Sequence, residues 1–144
     1  MRPGSYCDVT KRFIEQGIGM SEDAQDVVLV VEDEPVIRMI LEDYLKGEGY
    51  HVLVAENGEQ AFKILASKPH LDLIVTDFRL PGGISGVQIA EPAVKMRPDL
   101  KVIFISGYPA EIRESGSPIA FKAPILAKPF DLDSLRDQIQ EQLR

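Results

Sequence analysis

Between residues 27 and 128 the chain repeats one pattern: a short run of aliphatic residues, a turn or cap signal, then a stretch with helical spacing. The runs cover residues 27–31, 52–55, 73–76, 102–106 and 125–128. Short, near-continuous apolar runs suit strands buried on both faces, and their alternation with helices implies a parallel sheet covered on both sides. Pro35 suits the start of the first helix, where Val36, Ile37, Ile40, Leu41, Tyr44 and Leu45 recur on one face until Gly47 and Gly49 stop it. Asn57-Gly58 opens a second helix carrying Ala61, Phe62 and Leu65. A third starts near Gly86, and Pro92 is expected to end or kink it. Gly116, Ser117 and Pro118 interrupt the stretch after the fourth run, while Asp131 can cap a last helix with the stripe Leu132, Leu135, Ile139 and Leu143. The expected fold class is α/β, a five-stranded parallel sheet doubly wound with helices.

At 144 residues this is the size of one domain, with 44% hydrophobic and 27% charged residues. A net charge of -7 argues against non-specific binding to nucleic acid. Cys7 is the only cysteine, so no disulfide forms within the chain, and a reducing cytoplasm is the expected location. No apolar run approaches the roughly 18 residues that cross a bilayer, and residues 1–19 lack the apolar stretch of a secretory signal. Residues 1–25 read as a flexible leader and residues 26–144 as the domain. A short docking helix around Phe13 and Ile14 is the alternative for the leader.

The chemistry-bearing residues stand where the runs end. Glu32 and Asp33 close the first, Asp77 the third, Ser106 the fourth and Lys128 the fifth. In an open parallel sheet the carboxyl ends of the strands share one edge, where ligands bind. That edge would gather three acids, a hydroxyl and an ammonium. Clustered carboxylates repel and raise one another's pKa unless a cation joins them, and a hard divalent ion with oxygen ligands, Mg²⁺ foremost, resolves the repulsion. Lys128 then remains for an anion. Each acid taken alone reads more simply as a helix cap, Ser106 as a strand-end hydroxyl and Lys128 as a solvated charge; it is the ensemble that points to a site. His51 and His70 lack ligand-like spacing and read as exposed or strand-edge residues.

The order Glu32-Asp33, Asp77, Ser106 and Lys128-Pro129-Phe130, with Asp77-Phe78-Arg79-Leu80-Pro81-Gly82-Gly83 and then Gly86, resembles the receiver domain of two-component response regulators over about residues 27–143. The resemblance implies a flavodoxin-like sheet of order 2-1-3-4-5 and a cis Lys128-Pro129 bond. It also implies that Asp77 is the phosphoacceptor, that Asp33, Asp77 and the backbone carbonyl of Arg79 bind Mg²⁺, and that Glu32 assists through water. Ser106 and Lys128 would contact the phosphoryl group. Phosphoryl transfer spreads charge over equatorial oxygens, and a carboxylate nucleophile flanked by cations and a hydroxyl donor serves that chemistry.

Two positions depart from the commonest receiver pattern. Ile125 stands where receivers usually carry an aromatic switch residue. Tyr108 follows Ser106-Gly107, as in a subgroup of receivers found as single-domain regulators or attached to hybrid kinases. The expected function is therefore a phosphorylation-driven interaction switch. Its expected partners are a histidine kinase or phosphotransfer protein and a downstream protein, with a homodimer as a further option; neither nucleic acid nor membrane is expected. No output domain is expected either, since the chain ends just after Leu143. The alternatives are an aspartate-nucleophile phosphohydrolase, disfavoured because Arg79 stands where those enzymes carry a second acid, and a degenerate receiver used for docking.

Overall fold

The computed structural model describes residues 25–67 and 69–144. The leader expected over residues 1–25 therefore lies outside the described residues, save for Gln25, whose side-chain amide donates to Gly49 O at 3.1 Å.

Five strands form the sheet: β1 (Val27–Val31), β2 (His51–Ala55), β3 (Leu73–Asp77), β4 (Lys101–Ser106) and β5 (Ile125–Ala127). All pairings are parallel, in the order β2-β1-β3-β4-β5, as the resemblance implied. Every residue of β1 and of β3 is buried, which accounts for their unbroken apolar character. Alternate side chains serve opposite faces. Val28, Val30, Leu73 and Val75 pack with Leu41, Leu45, Leu135 and Ile139 of α1 (Pro35–Gly47) and α6 (Leu132–Leu143). On the other face Leu29, Val31 and Ile74 meet Ala61 and Leu65 of α2 (Gly58–Ala66) and Ile89 and Ala93 of α3 (Gly86–Met96). Two single turns, α4 (Ala110–Glu114) and α5 (Ile119–Lys122), bury Ile112 and Ala120 against Phe104. They occupy the stretch where breakers excluded a long helix.

The caps follow the side chains present. Asn57 Oδ1 accepts from Gln60 N at 2.8 Å and Asp131 Oδ1 from Ser134 N at 2.7 Å, while Ser85 and Gln88 form a reciprocal capping box that starts α3. Lys128-Pro129 is cis.

Three expectations need correction. Of the two outcomes expected at Pro92, an end or a kink, the end does not occur: helix α3 runs on to Met96, because Ile89, Ala90 and Ala93 on both sides of the proline are buried against the sheet. On α1, Val36 (63% exposed) and Ile40 (44%) do not belong to the core face, which consists of Leu41 and Leu45 with Ile37 and Tyr44 beside them. Strand β5 stops at Ala127, so Lys128 lies one residue beyond it.

Candidate functional site

Strands β1 and β3 are neighbours, yet β1 connects to β2 on one side and β3 to β4 on the other. At such a reversal the connecting loops diverge and leave a crevice above the strand ends. Glu32 and Asp33 enter it from the loop after β1, and Asp77 is the last residue of β3. Ser106 ends β4, and its carbonyl accepts Lys128 N at 2.9 Å, which fixes the backbone of the lysine next to the hydroxyl. The fold brings these residues together: oxygens of Glu32, Asp33 and Asp77 all lie within 4.8 Å of one another, and Lys128 Nζ is 3.1 Å from Asp77 Oδ1.

Burial dominates the electrostatics. Glu32 and Asp77 are 2% and 3% exposed. Loss of water pushes the Glu32 carboxyl up to about 8, and the hydrogen bond it shares with Asp77 adds to the rise. Burial also raises Asp77, against the opposing effects of the Glu32 hydrogen bond and the Lys128 charge. Burial therefore favours the protonated form of both acids. For Lys128, burial works to lower the pKa, but the Asp77 and Glu32 charges outweigh it and the ammonium is held more firmly. Asp77 Oδ1 is buried and makes no hydrogen bond of good geometry, the Lys128 ammonium being its ion-pair partner.

The acids are held by backbone contacts that the sequence did not suggest. Arg38 Nη1 donates to Glu32 O at 2.8 Å and to Asp33 O at 3.4 Å, and Glu34 N donates to Glu32 Oε2 at 3.1 Å. Thr76 Oγ1 donates to Asp77 O at 2.9 Å. Gly86 closes the loop after β3 by donating its N–H to Phe78 O at 2.8 Å, and a Cβ at Gly86 would lie 2.3 Å from Asp77 O. No side chain fits there.

Around the acids the remaining residues divide. Ser106 Oγ donates to Glu111 Oε2 at 2.9 Å and accepts from Tyr108 N at 2.9 Å, so its hydroxyl is engaged away from Asp77. The Arg79 guanidinium pairs with Glu111 Oε1 at 2.6 Å, leaving the backbone of Arg79 two residues past Asp77. Glu111 was missed at the sequence level, because its partners Ser106 and Arg79 come from two different loops and nothing in the local pattern marks it. Tyr108 is 58% exposed at the rim, and Ile125 is half-buried under α4 and α5. His51 is exposed on edge strand β2, and His70 Nε2 lies 3.1 Å from Asp72 Oδ2 on the surface, well placed for neither metal nor phosphoryl chemistry.

The donor set fits a divalent cation. Three carboxylates at the ends of β1 and β3 offer only oxygen atoms, as Mg²⁺ requires, and the buried Asp77 oxygen that lacks a hydrogen bond gains a ligand bond when a cation arrives.

Comparison with known proteins agrees with this geometry. Residues 28–140 match the family described as the response regulator receiver domain. The response regulator receiver protein CpdR of Brucella abortus is 34% identical, over 81% of this chain and 95% of its own length. Among solved structures, a response regulator receiver protein from Sinorhizobium medicae superposes with a TM-score of 0.76 at 28% identity, covering 83% of this chain and 94% of that one. The response regulator TrrA of Thermotoga maritima, solved in complex with Mg²⁺ and BeF, gives 0.70 at 34% identity, covering 82% of this chain and 99% of that one.

Proposed function

This chain belongs to the response regulator receiver family, the phosphoacceptor modules of two-component signalling, and on that footing we propose that Asp77 is the residue that carries the phosphoryl group. The observation behind this assignment is the state of Asp77 Oδ1: buried, without a hydrogen-bond donor, and 3.1 Å from the Lys128 ammonium. A buried carboxylate oxygen left unsatisfied is costly in a purely structural role and is what a nucleophile needs.

In the proposed reaction an Asp77 oxygen attacks the phosphorus of a phosphohistidine on a kinase or phosphotransfer protein. The new O–P bond forms as the P–N bond breaks, and the imidazole leaves with the electron pair. Lys128 offsets charge on the transferred oxygens and Ser106 can donate one hydrogen bond to them. Glu32, Asp33 and Asp77 would hold Mg²⁺, with the Arg79 carbonyl a further candidate ligand; when bound, the ion supplies countercharge and orientation for the phosphoryl oxygens. An acyl phosphate is labile, which suits a reversible switch, and the chain acts as a switch and not as an enzyme on small molecules. The position two residues past Asp77 is Arg79, paired to Glu111, where a phosphohydrolase would need an acid.

Output is proposed to pass through Tyr108, which is exposed and joined to Ser106 by its backbone N–H, since Ile125 has no aromatic ring to reorient. The proposed location is the cytoplasm, with residues 1–25 a leader outside the domain. No helix among the described residues is long and apolar enough to cross a membrane. Incubation with acetyl phosphate and Mg²⁺, followed by intact mass measurement, tests the reading. A single adduct supports it, continuous turnover would indicate a phosphohydrolase, and no adduct would indicate a degenerate receiver.

A further inference from the structure

A serine hydroxyl has one proton and donates one hydrogen bond at a time. In this structure the Ser106 proton goes to Glu111, on the first turn of α4, at 2.9 Å. The other oxygen of the same carboxylate holds the Arg79 guanidinium at 2.6 Å. One anion thus engages a donor from the end of β4 and a cation from the loop after β3, the two elements that flank the phosphoryl position on Asp77. The bond is shielded: the Glu111 side chain is 13% exposed and Ser106 only 4%. Helix α4 is anchored at this point from below by fully buried Ile112.

We propose that Glu111 is a positioning residue for phosphoryl uptake, an internal anion that occupies Ser106 and Arg79 in the unphosphorylated state and yields Ser106 when the phosphoryl group arrives. The inference rests on the reading of Asp77 as phosphoacceptor. A carboxylate and a phosphoryl group are both oxygen anions that favour hydroxyl and guanidinium donors, so they compete for the same partners. The single proton makes the choice exclusive for Ser106. Phosphorylation and release of the first turn of α4 are therefore linked, each opposing the Glu111 contact by the same free energy. The shielded Ser106 bond carries most of the effect, because Arg79 is 79% exposed and its pairing is weakened by water.

Uptake of phosphoryl from acetyl phosphate, followed by mass in wild type, Glu111→Ala, Glu111→Gln, Ser106→Ala and the Ser106→Ala/Glu111→Ala double variant, tests this. Glu111→Ala is expected to take up phosphoryl about three- to ten-fold faster than wild type, the range set by losing one hydrogen bond of ordinary net strength. Glu111→Gln, whose amide oxygen still accepts the serine proton without the charge, should fall between. In the Ser106→Ala background the acceleration should largely vanish, a coupling that loss of helix packing alone would not produce. An adduct in wild type with no acceleration in Glu111→Ala overturns the role of Glu111, as does equal acceleration with and without Ser106. Absence of any adduct in wild type strikes instead at the assignment of Asp77.

Discussion

Lys128 Nζ lies 3.1 Å from Asp77 Oδ1, reaching across the end of β4, the strand that separates theirs in the sheet. The carboxylate is buried and the lysine half-exposed, so an anion entering from solvent meets the ammonium before it meets the acid. An isolated buried pair of this kind gains little stability, because desolvation offsets the Coulomb attraction. Its value lies in chemistry, and its behaviour depends on the two acids beside it.

The first prediction concerns the cation. A ligand that binds only the folded state stabilises it by about 2.7 kcal/mol at one hundred times its Kd. Mg²⁺ should accordingly raise the Tm of the wild type by several degrees, and Asp33→Ala, which removes the exposed member of the triad, should lose most of that rise. An Asp33→Ala protein whose Tm responds to Mg²⁺ like wild type would remove Asp33 from the metal site.

A second prediction follows from the raised carboxyls. The ordinary value for Glu32 is 4.5, and the folded protein holds it at about 8, so the folded state binds this proton more tightly than the unfolded chain does. Its contribution to stability is complete below about pH 4.5 and is lost as pH rises through about 8. Asp77 shifts in the same direction. Metal-free protein should therefore melt at progressively lower temperature across that window, and Glu32→Gln, always neutral, should flatten the decline. Equal slopes for the two proteins in a chelator-treated pH series would contradict the raised Glu32 carboxyl.

The tight approach at Gly86 gives a third. A methyl group there would sit 2.3 Å from Asp77 O and 3.1 Å from Thr76 Cγ2, so the loop after β3 must move to accept it. Overpacking of this kind costs about 1–3 kcal/mol. Gly86→Ala should lower stability by that amount in urea titration and slow phosphoryl uptake by displacing Asp77. If Gly86→Ala is as stable and as reactive as wild type, the loop yields without cost and the close contact is not restrictive.

Much of this site was legible in the sequence because a buried strand announces its own end. The run 27–31 stops at Glu32 and the run 73–76 at Asp77, and parallel strands put those ends on one edge whatever their order. What periodicity does not reveal is which flank of a stripe meets the sheet: Val36 and Ile40 share a helical face with Ile37, Leu41 and Tyr44, yet the sheet contacts only one side of it. Local propensity alone did not decide between an end and a continuation at Pro92, where burial of Ile89 and Ala93 carries α3 through the missing hydrogen bond. Glu111 was hidden for another reason. Its partners, Ser106 and Arg79, are five and thirty-two residues away, and only the folded loops bring all three together.

The central claim is that the phosphoryl group sits on Asp77, and chemical reduction reads this out residue by residue. Borohydride cleaves an aspartyl phosphate to homoserine, while free carboxylates remain. After loading with acetyl phosphate and Mg²⁺, reduction and peptide mass mapping should find homoserine at position 77 and aspartate retained at Asp33, with no conversion in Asp77→Asn. Homoserine at Asp33, or conversion that persists undiminished in Asp77→Asn, would contradict the account.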